Sequence, residues 1–112
     1  MDDEELPPAA VAAAGAAARA LMRVATDEDP LVEVLAATAI VTAERFCGRR
    51  WIARGAADAP DTGAGWDAVP PPVRHGVAML VQHLFEDRSR DAAPPAAVAA
   101  LWRPYRLMRL RP

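Results

Sequence analysis

The sequence has no lysine: all thirteen of its basic residues are arginine. It has one cysteine, Cys47, so no disulfide can form within the chain. Its single serine, Ser89, stands in a linker and not in a nucleophile elbow. The only histidines, His75 and His83, are eight positions apart, which on a helix leaves them about 80° out of register. No cysteine or acid completes a zinc set around them. The Gly63-Ala64-Gly65 pair lacks the Lys and Ser/Thr of a phosphate-binding loop and follows no strand. Glu86 and Asp87 are adjacent, so on a helix they point apart. With no catalytic, cofactor or metal constellation, the expectation is a protein that is not an enzyme. Long apolar runs are also missing. Ala9–Ala18 is too short and too weakly hydrophobic to span a bilayer, and the acidic start has no basic region of a signal peptide. A soluble, cytoplasmic protein with no membrane partner is expected.

What is present points to helices. The chain centres on Pro70–Arg88. Proline is tolerated in a first helical turn, where its missing N–H has no partner to lose. After it Val73, Val77, Leu80 and Leu84 recur at spacings of four, three and four, one face of a 3.6-residue period. Met79, Val81 and Phe85 widen that face, so a central core helix is expected over 71–88.

Ahead of it, Asp2-Asp3-Glu4-Glu5 and Pro7-Pro8 precede a first helix over 7–24. Acids suit the positive end of the helix dipole. Its apolar face, Val11, Ala14, Ala18, Leu21 and Met22, is mostly small, with Gly15 as its weak point. Asp29-Pro30 caps and opens a second helix over 30–47. Leu31, Leu35, Thr38/Ala39, Thr42 and Phe46 are expected along its core edge, with Val34, Ile40 and Val41 beside them. Gly48 is its expected C′ residue, and Arg45, Arg49 and Arg50 suit its negative end. Cys47 reads as a buried small hydrophobe, and Trp51-Ile52 as an anchor back onto the core.

Residues 53–69, rich in Gly, Asp and Pro, read as a loop or arm. Trp66 within it either folds back on its own core or, with Asp67, packs on a neighbouring subunit. A fourth helix over 95–103 carries Val98, Leu101 and Trp102. The tail 104–112 alternates apolar residues and arginine and is expected to fray or be ordered by a partner. The fold class is therefore all-α, a single small bundle of about four helices with an arm and a C-terminal tail.

Charge is uneven. Residues 1–35 carry eight acids and two arginines, whereas residues 74–112 carry three acids and seven arginines. Opposite charge at the two ends suits pairing within a chain or head-to-tail between copies. The net charge of −2 argues against a generic nucleic-acid binder. A small helical DNA-binding module using Arg103, Arg106, Arg109 and Arg111, or a generic protein-interaction module, is the alternative reading.

Three blocks, taken together, resemble the phage head–tail connector (adaptor) family. They are Ala20-Leu21-Met22-Arg23 through Ala43-Glu44 to Cys47-Gly48-Arg49-Arg50-Trp51, then Val69-Pro70-Pro71-Pro72-Val73 to Glu86-Asp87-Arg88, and Pro94-Pro95 to Pro104-Tyr105-Arg106. The likeness covers roughly residues 19–107. The chain departs from the family in its alanine-rich first helix and at Cys47, where a small polar residue is common. The resemblance implies a structural subunit of a homo-oligomeric ring of roughly twelve copies. Such a ring lies beneath the portal of a phage or gene-transfer-agent particle, above a tail or stopper protein, with DNA passing through it. It would be made in the bacterial cytoplasm and end in the particle. Composition rich in Ala and Arg fits a GC-rich source. The resemblance also implies portal binding by a C-terminal segment, here Trp102, Arg103, Tyr105, Arg106, Leu107, Met108, Arg109 and Leu110. Subunit contacts are expected at Trp66, Asp67, Arg49 and Arg50.

Overall fold

Proline is the first residue of α1 (Pro8–Met22), α2 (Pro30–Cys47) and α3 (Pro71–Glu86), and Pro95 directly precedes α4 (Ala96–Trp102). Its fixed φ matches the helix, and its missing donor falls where no intrahelical acceptor exists. The computed structural model describes residues 6–22, 30–52, 54, 63–86 and 94–106. Two 3-10 segments complete it, Gly63–Ala68 before α3 and Arg103–Tyr105 after α4. There is no strand among the described residues, so the chain is all-α. None of these helices is long and apolar enough to cross a membrane.

Helices α1, α2 and α3 pack pairwise around one core, and α4 lies on α3. The expected face of α3 is the one buried: Val73, Val77, Leu80 and Leu84 are all in the core, joined by Val81. On α1 the buried set is smaller than expected, namely Ala10, Ala14, Gly15 and Ala18, with Val11, Leu21 and Met22 at the flanks. At Gly15 the two helices approach closely. A Cβ there would stand 3.2 Å from Glu33 Cγ and 3.8 Å from Val32 Cγ1 on α2. Small residues thus let two helices meet closely, although each buries little area.

That close approach corrects the expected face of α2. The buried residues are Val32, Ala36, Ala39, Ile40, Ala43, Glu44 and Cys47. Leu31, Leu35 and Phe46 are only half-buried, and Val34 is 61% exposed. The inward face is rotated by one residue, about 100°, from the line of large side chains. Alanine fits between packed helices, while leucine and phenylalanine seal the edges. The Thr38 and Thr42 hydroxyls, expected on the core edge, instead donate back to the carbonyls of Val34 (3.3 Å) and Thr38 (2.8 Å).

The two large residues expected at interfaces are in this core. Trp102 is fully buried between α4 and α3, its indole N–H donating to the Val73 carbonyl at 3.2 Å. Burying it stabilises the fold by on the order of 3 kcal/mol, and its one polar atom has a partner. Trp66, in the 3-10 segment, is 7% exposed and joins the same core. Gly65 beside it has φ +88°, and a Cβ there would stand 3.0 Å from the Trp51 carbonyl. The segment therefore seats against Trp51-Ile52, which anchor as expected: Ile52 is fully buried.

Candidate functional site

At the C-terminal end of α2, helix end, returning chain and two charged side chains are bonded together. Gly48, at φ +72°, takes the left-handed conformation that ends the helix. Its N–H and that of Arg49 both donate to the Glu44 carbonyl, at 2.8 and 3.2 Å. The chain then turns back over the side chain of the same residue. The N–H groups of Trp51 and Ile52 donate to Glu44 Oε2 at 3.1 and 3.3 Å. Arg54 completes the set, with Nη1 on Oε2 at 3.1 Å and Nη2 on Oε1 at 2.5 Å. The two side chains are 8% and 5% exposed.

A buried ion pair loses several kcal/mol of hydration, which its mutual attraction offsets only when the remaining hydrogen-bonding capacity is also used. Here the carboxylate accepts from two backbone N–H groups as well as from a fork of two guanidinium nitrogens. Glu44 thus fixes both the end of α2 and the path of the chain after it. Sequence reading gave it no role. The available signal was an acid on the line of Ala36, Ile40 and Ala43, one turn before a helix-ending glycine.

Beside this pair lies an open cleft of about 480 Å³, lined by Val41, Glu44, Arg45, Gly48, Arg49, Arg50 and Arg54. Arg45, Arg49 and Arg50 are exposed. The Arg49 guanidinium stands 5.9 Å from the centroid of the Trp51 ring, within cation–π range. Arg45, Arg49 and Arg50 line this cleft, and Glu44, the one acid among its lining residues, is paired with Arg54. Among the described residues, the Arg54 Nε is buried without a hydrogen-bond partner.

The expected site residues divide sharply. Arg49 and Arg50 lie in this cleft, and Asp67 is exposed, 4.0 Å from Arg74. Trp66 is not an outward contact: its ring packs on its own chain. Nor does Trp102 belong to a docking tail, since α3 and α4 enclose it. Arg103 and Arg106 are exposed, and Tyr105 is half-buried against the core. The start of the tail is anchored, with the Arg106 guanidinium 5.1 Å above the Phe46 ring and that ring 5.8 Å from Trp102. Leu107, Met108, Arg109 and Leu110 lie outside the described residues.

Cys47 is fully buried, as its apolar neighbours suggested, and its thiol points to the Trp102 carbonyl at 3.7 Å. Burial pushes this thiol up from its ordinary value of 9.0, against smaller opposing effects of Arg49 and Arg106. Among the described residues no group of three or more His, Cys, Asp or Glu side chains is placed to hold a metal ion.

The fold defines a small all-α protein with an arginine-lined corner. No family model, no curated protein and no solved structure matches the chain.

Proposed function

We propose that this chain is a structural head–tail connector (adaptor) subunit. In this reading copies form a homo-oligomeric ring beneath the portal of a phage or gene-transfer-agent particle. The ring joins head to tail and gives DNA a passage. One observation carries the reading: the three blocks that resemble the family meet at a single point of the fold. The Cys47 thiol of the first block reaches the Trp102 carbonyl of the third. The Trp102 indole N–H donates to the Val73 carbonyl of the second. Blocks far apart in sequence are thereby held as one unit, as expected if they were kept together for one task.

The exposed chemistry agrees with a role in assembly. Four donors already occupy the one acid of the cleft, so Glu44 is poorly suited to act as a catalytic base. The exposed arginines and the half-buried Tyr105 are residue types enriched in protein interfaces. Portal binding is assigned to Arg103, Arg106 and the residues after them, and no longer to Trp102, which the core requires.

The test is to mix the purified full chain with assembled portal of the same particle and to image the mixture by electron microscopy. Rings seated coaxially on the portal are expected, and a chain ending at Arg106 should seat more weakly. A chain that stays apart from portal at micromolar concentrations, and binds duplex DNA with a steep salt dependence instead, would replace this reading with the DNA-binding one.

A further inference from the structure

Helix α3 carries its charges the wrong way round. A helix dipole favours acids at the start and cations at the end. In α3, Arg74 closes the first turn, its N–H donating to the Pro70 carbonyl at 2.9 Å, and Glu86 is the last residue. Four acids lie among the described residues, and three of them have a cation. Glu44 pairs with Arg54, Glu33 stands 3.8 Å from Arg19, and Asp67 stands 4.0 Å from Arg74. Glu86 is exposed and has no cationic partner among those residues; its carboxylate accepts from the Gln82 amide at 3.3 Å. The pairing of Arg74 is itself incomplete. At 4.0 Å it makes no hydrogen bond to Asp67, which is 86% exposed, and its Nε is buried without a hydrogen-bond partner among the described residues.

We infer that the groove between α1 and the first half of α3 receives the C-terminal end of α3 from a second copy of this chain, with the incoming Glu86 on Arg74. The groove is open and holds about 470 Å³, room for a few side chains. It is lined by the apolar side chains of Ala17, Leu21, Trp66 and Ala78 together with Arg74 and His75. Asp67 is not among its lining residues, so Arg74 faces the groove without its acid. A guanidinium takes a carboxylate through paired N–H donors, and the exposed His75 adds a ring N–H. Charge complementarity also selects the occupant. Glu86 is the described acid left without a cation, and Arg74 is the cation with donors to spare. Contact between copies turns an unfavourable arrangement into a favourable one. The positive start of one α3 then meets the negative end of the next, and the two helix dipoles run head to tail.

The geometry of α3 requires the second copy. Arg74 and Glu86 are both on this straight run of helix, about 18 Å apart along its axis. One copy's Glu86 therefore does not meet its own Arg74. A contact that joins one end of a copy to a different surface of the next is heterologous and repeats around a closed ring. This inference rests on the ring reading and names the surfaces that would meet.

A charge-swap experiment with full-length chains tests it. One variant carries Glu86→Arg and the other Arg74→Glu, with the exposed His75→Glu replacing the second if far-UV circular dichroism shows that it loses its helices. Sedimentation velocity should show salt-sensitive self-association of the parent chain, weakened about tenfold in either variant alone. Mixing the two variants should restore it, because each then offers the other an opposite charge. Glu86→Gln separates an interface role from a structural one. It should raise the melting temperature of the dilute, dissociated chain, since it removes an acid from the negative end of α3, while weakening association. Failure of the mixture to associate, or association of either single variant at the parent level, overturns the inference. So does a parent chain that stays monomeric, or a Glu86→Gln chain that melts lower than the parent. Portal is absent from this experiment, so a failed charge swap with intact portal binding removes only this inference. Portal binding that fails while the swap works removes only the connector reading.

Discussion

The indole of Trp102 fills the space that a side chain at Gly76 would need. A Cβ at position 76 would overlap the indole Nε1 outright and stand 2.9 Å from Cε2. Gly76 is an ordinary interior position of α3, where glycine weakens a helix by roughly 0.5–1 kcal/mol relative to alanine. That loss is offset by the seat it gives Trp102, the largest fully buried side chain among the described residues.

Gly76→Ala should therefore destabilise the fold by about 1–3 kcal/mol, although alanine favours helices. The loss should shrink in a Trp102→Leu background, with a coupling of at least about 0.5 kcal/mol. Urea denaturation of the four chains in the cycle measures it. Additive effects would separate the two positions.

Glu44→Ala should lower stability by about 3–5 kcal/mol, because it strands a buried guanidinium and two backbone N–H groups. Replacing both charges, Glu44→Met with Arg54→Met, should be much milder than either single change. Thermal unfolding distinguishes these outcomes, and a double variant as unstable as Glu44→Ala would mean that the charge pair is not what stabilises the corner.

Gly48→Ala should cost about 1–2 kcal/mol, since φ is +72° and alanine is strained there. Gly48→Asn should cost less, because asparagine tolerates the left-handed region. Equal losses for the two would point away from backbone strain.

Cys47 makes stability sensitive to alkali. Its folded thiol holds the proton more tightly than the unfolded one. Its contribution is complete below pH 9.0, and falls as pH rises from there through the higher folded value. Denaturation curves followed across that range should show a loss that Cys47→Ala reduces. Iodoacetamide should label the native chain far more slowly than the urea-unfolded one.

Truncation separates tail from core. A chain ending at Arg106 should keep its helical circular dichroism and its cooperative melting. A chain ending at Leu101 lacks Trp102 and should lose cooperative folding.

Local chemistry was legible in the sequence. The starts of α2 and α3 were readable from Pro30 and Pro71, the end of α2 from Gly48, and the buried face of α3 from Val73, Val77, Leu80 and Leu84. The seat of Cys47 was readable too. The face of α2 was not. Alanine stands out little in a hydrophobic pattern, so Leu31, Leu35 and Phe46 marked the wrong line, and the tight packing at Gly15 set the true one. Arg49 and Arg50 were picked out in sequence, whereas the Glu44–Arg54 pair beneath them was not.

The sequence by itself determined the all-α character and the helix starts, because proline geometry and helical period act within a few residues. Only the tertiary structure decided that Trp66 and Trp102 face inward, that Glu44 closes on Arg54, and that arginines 45, 49 and 50 share one cleft. Inward or outward placement of a tryptophan depends on whether distant residues leave room for it. Gly76, twenty-six positions before Trp102, provides that room by lacking a side chain.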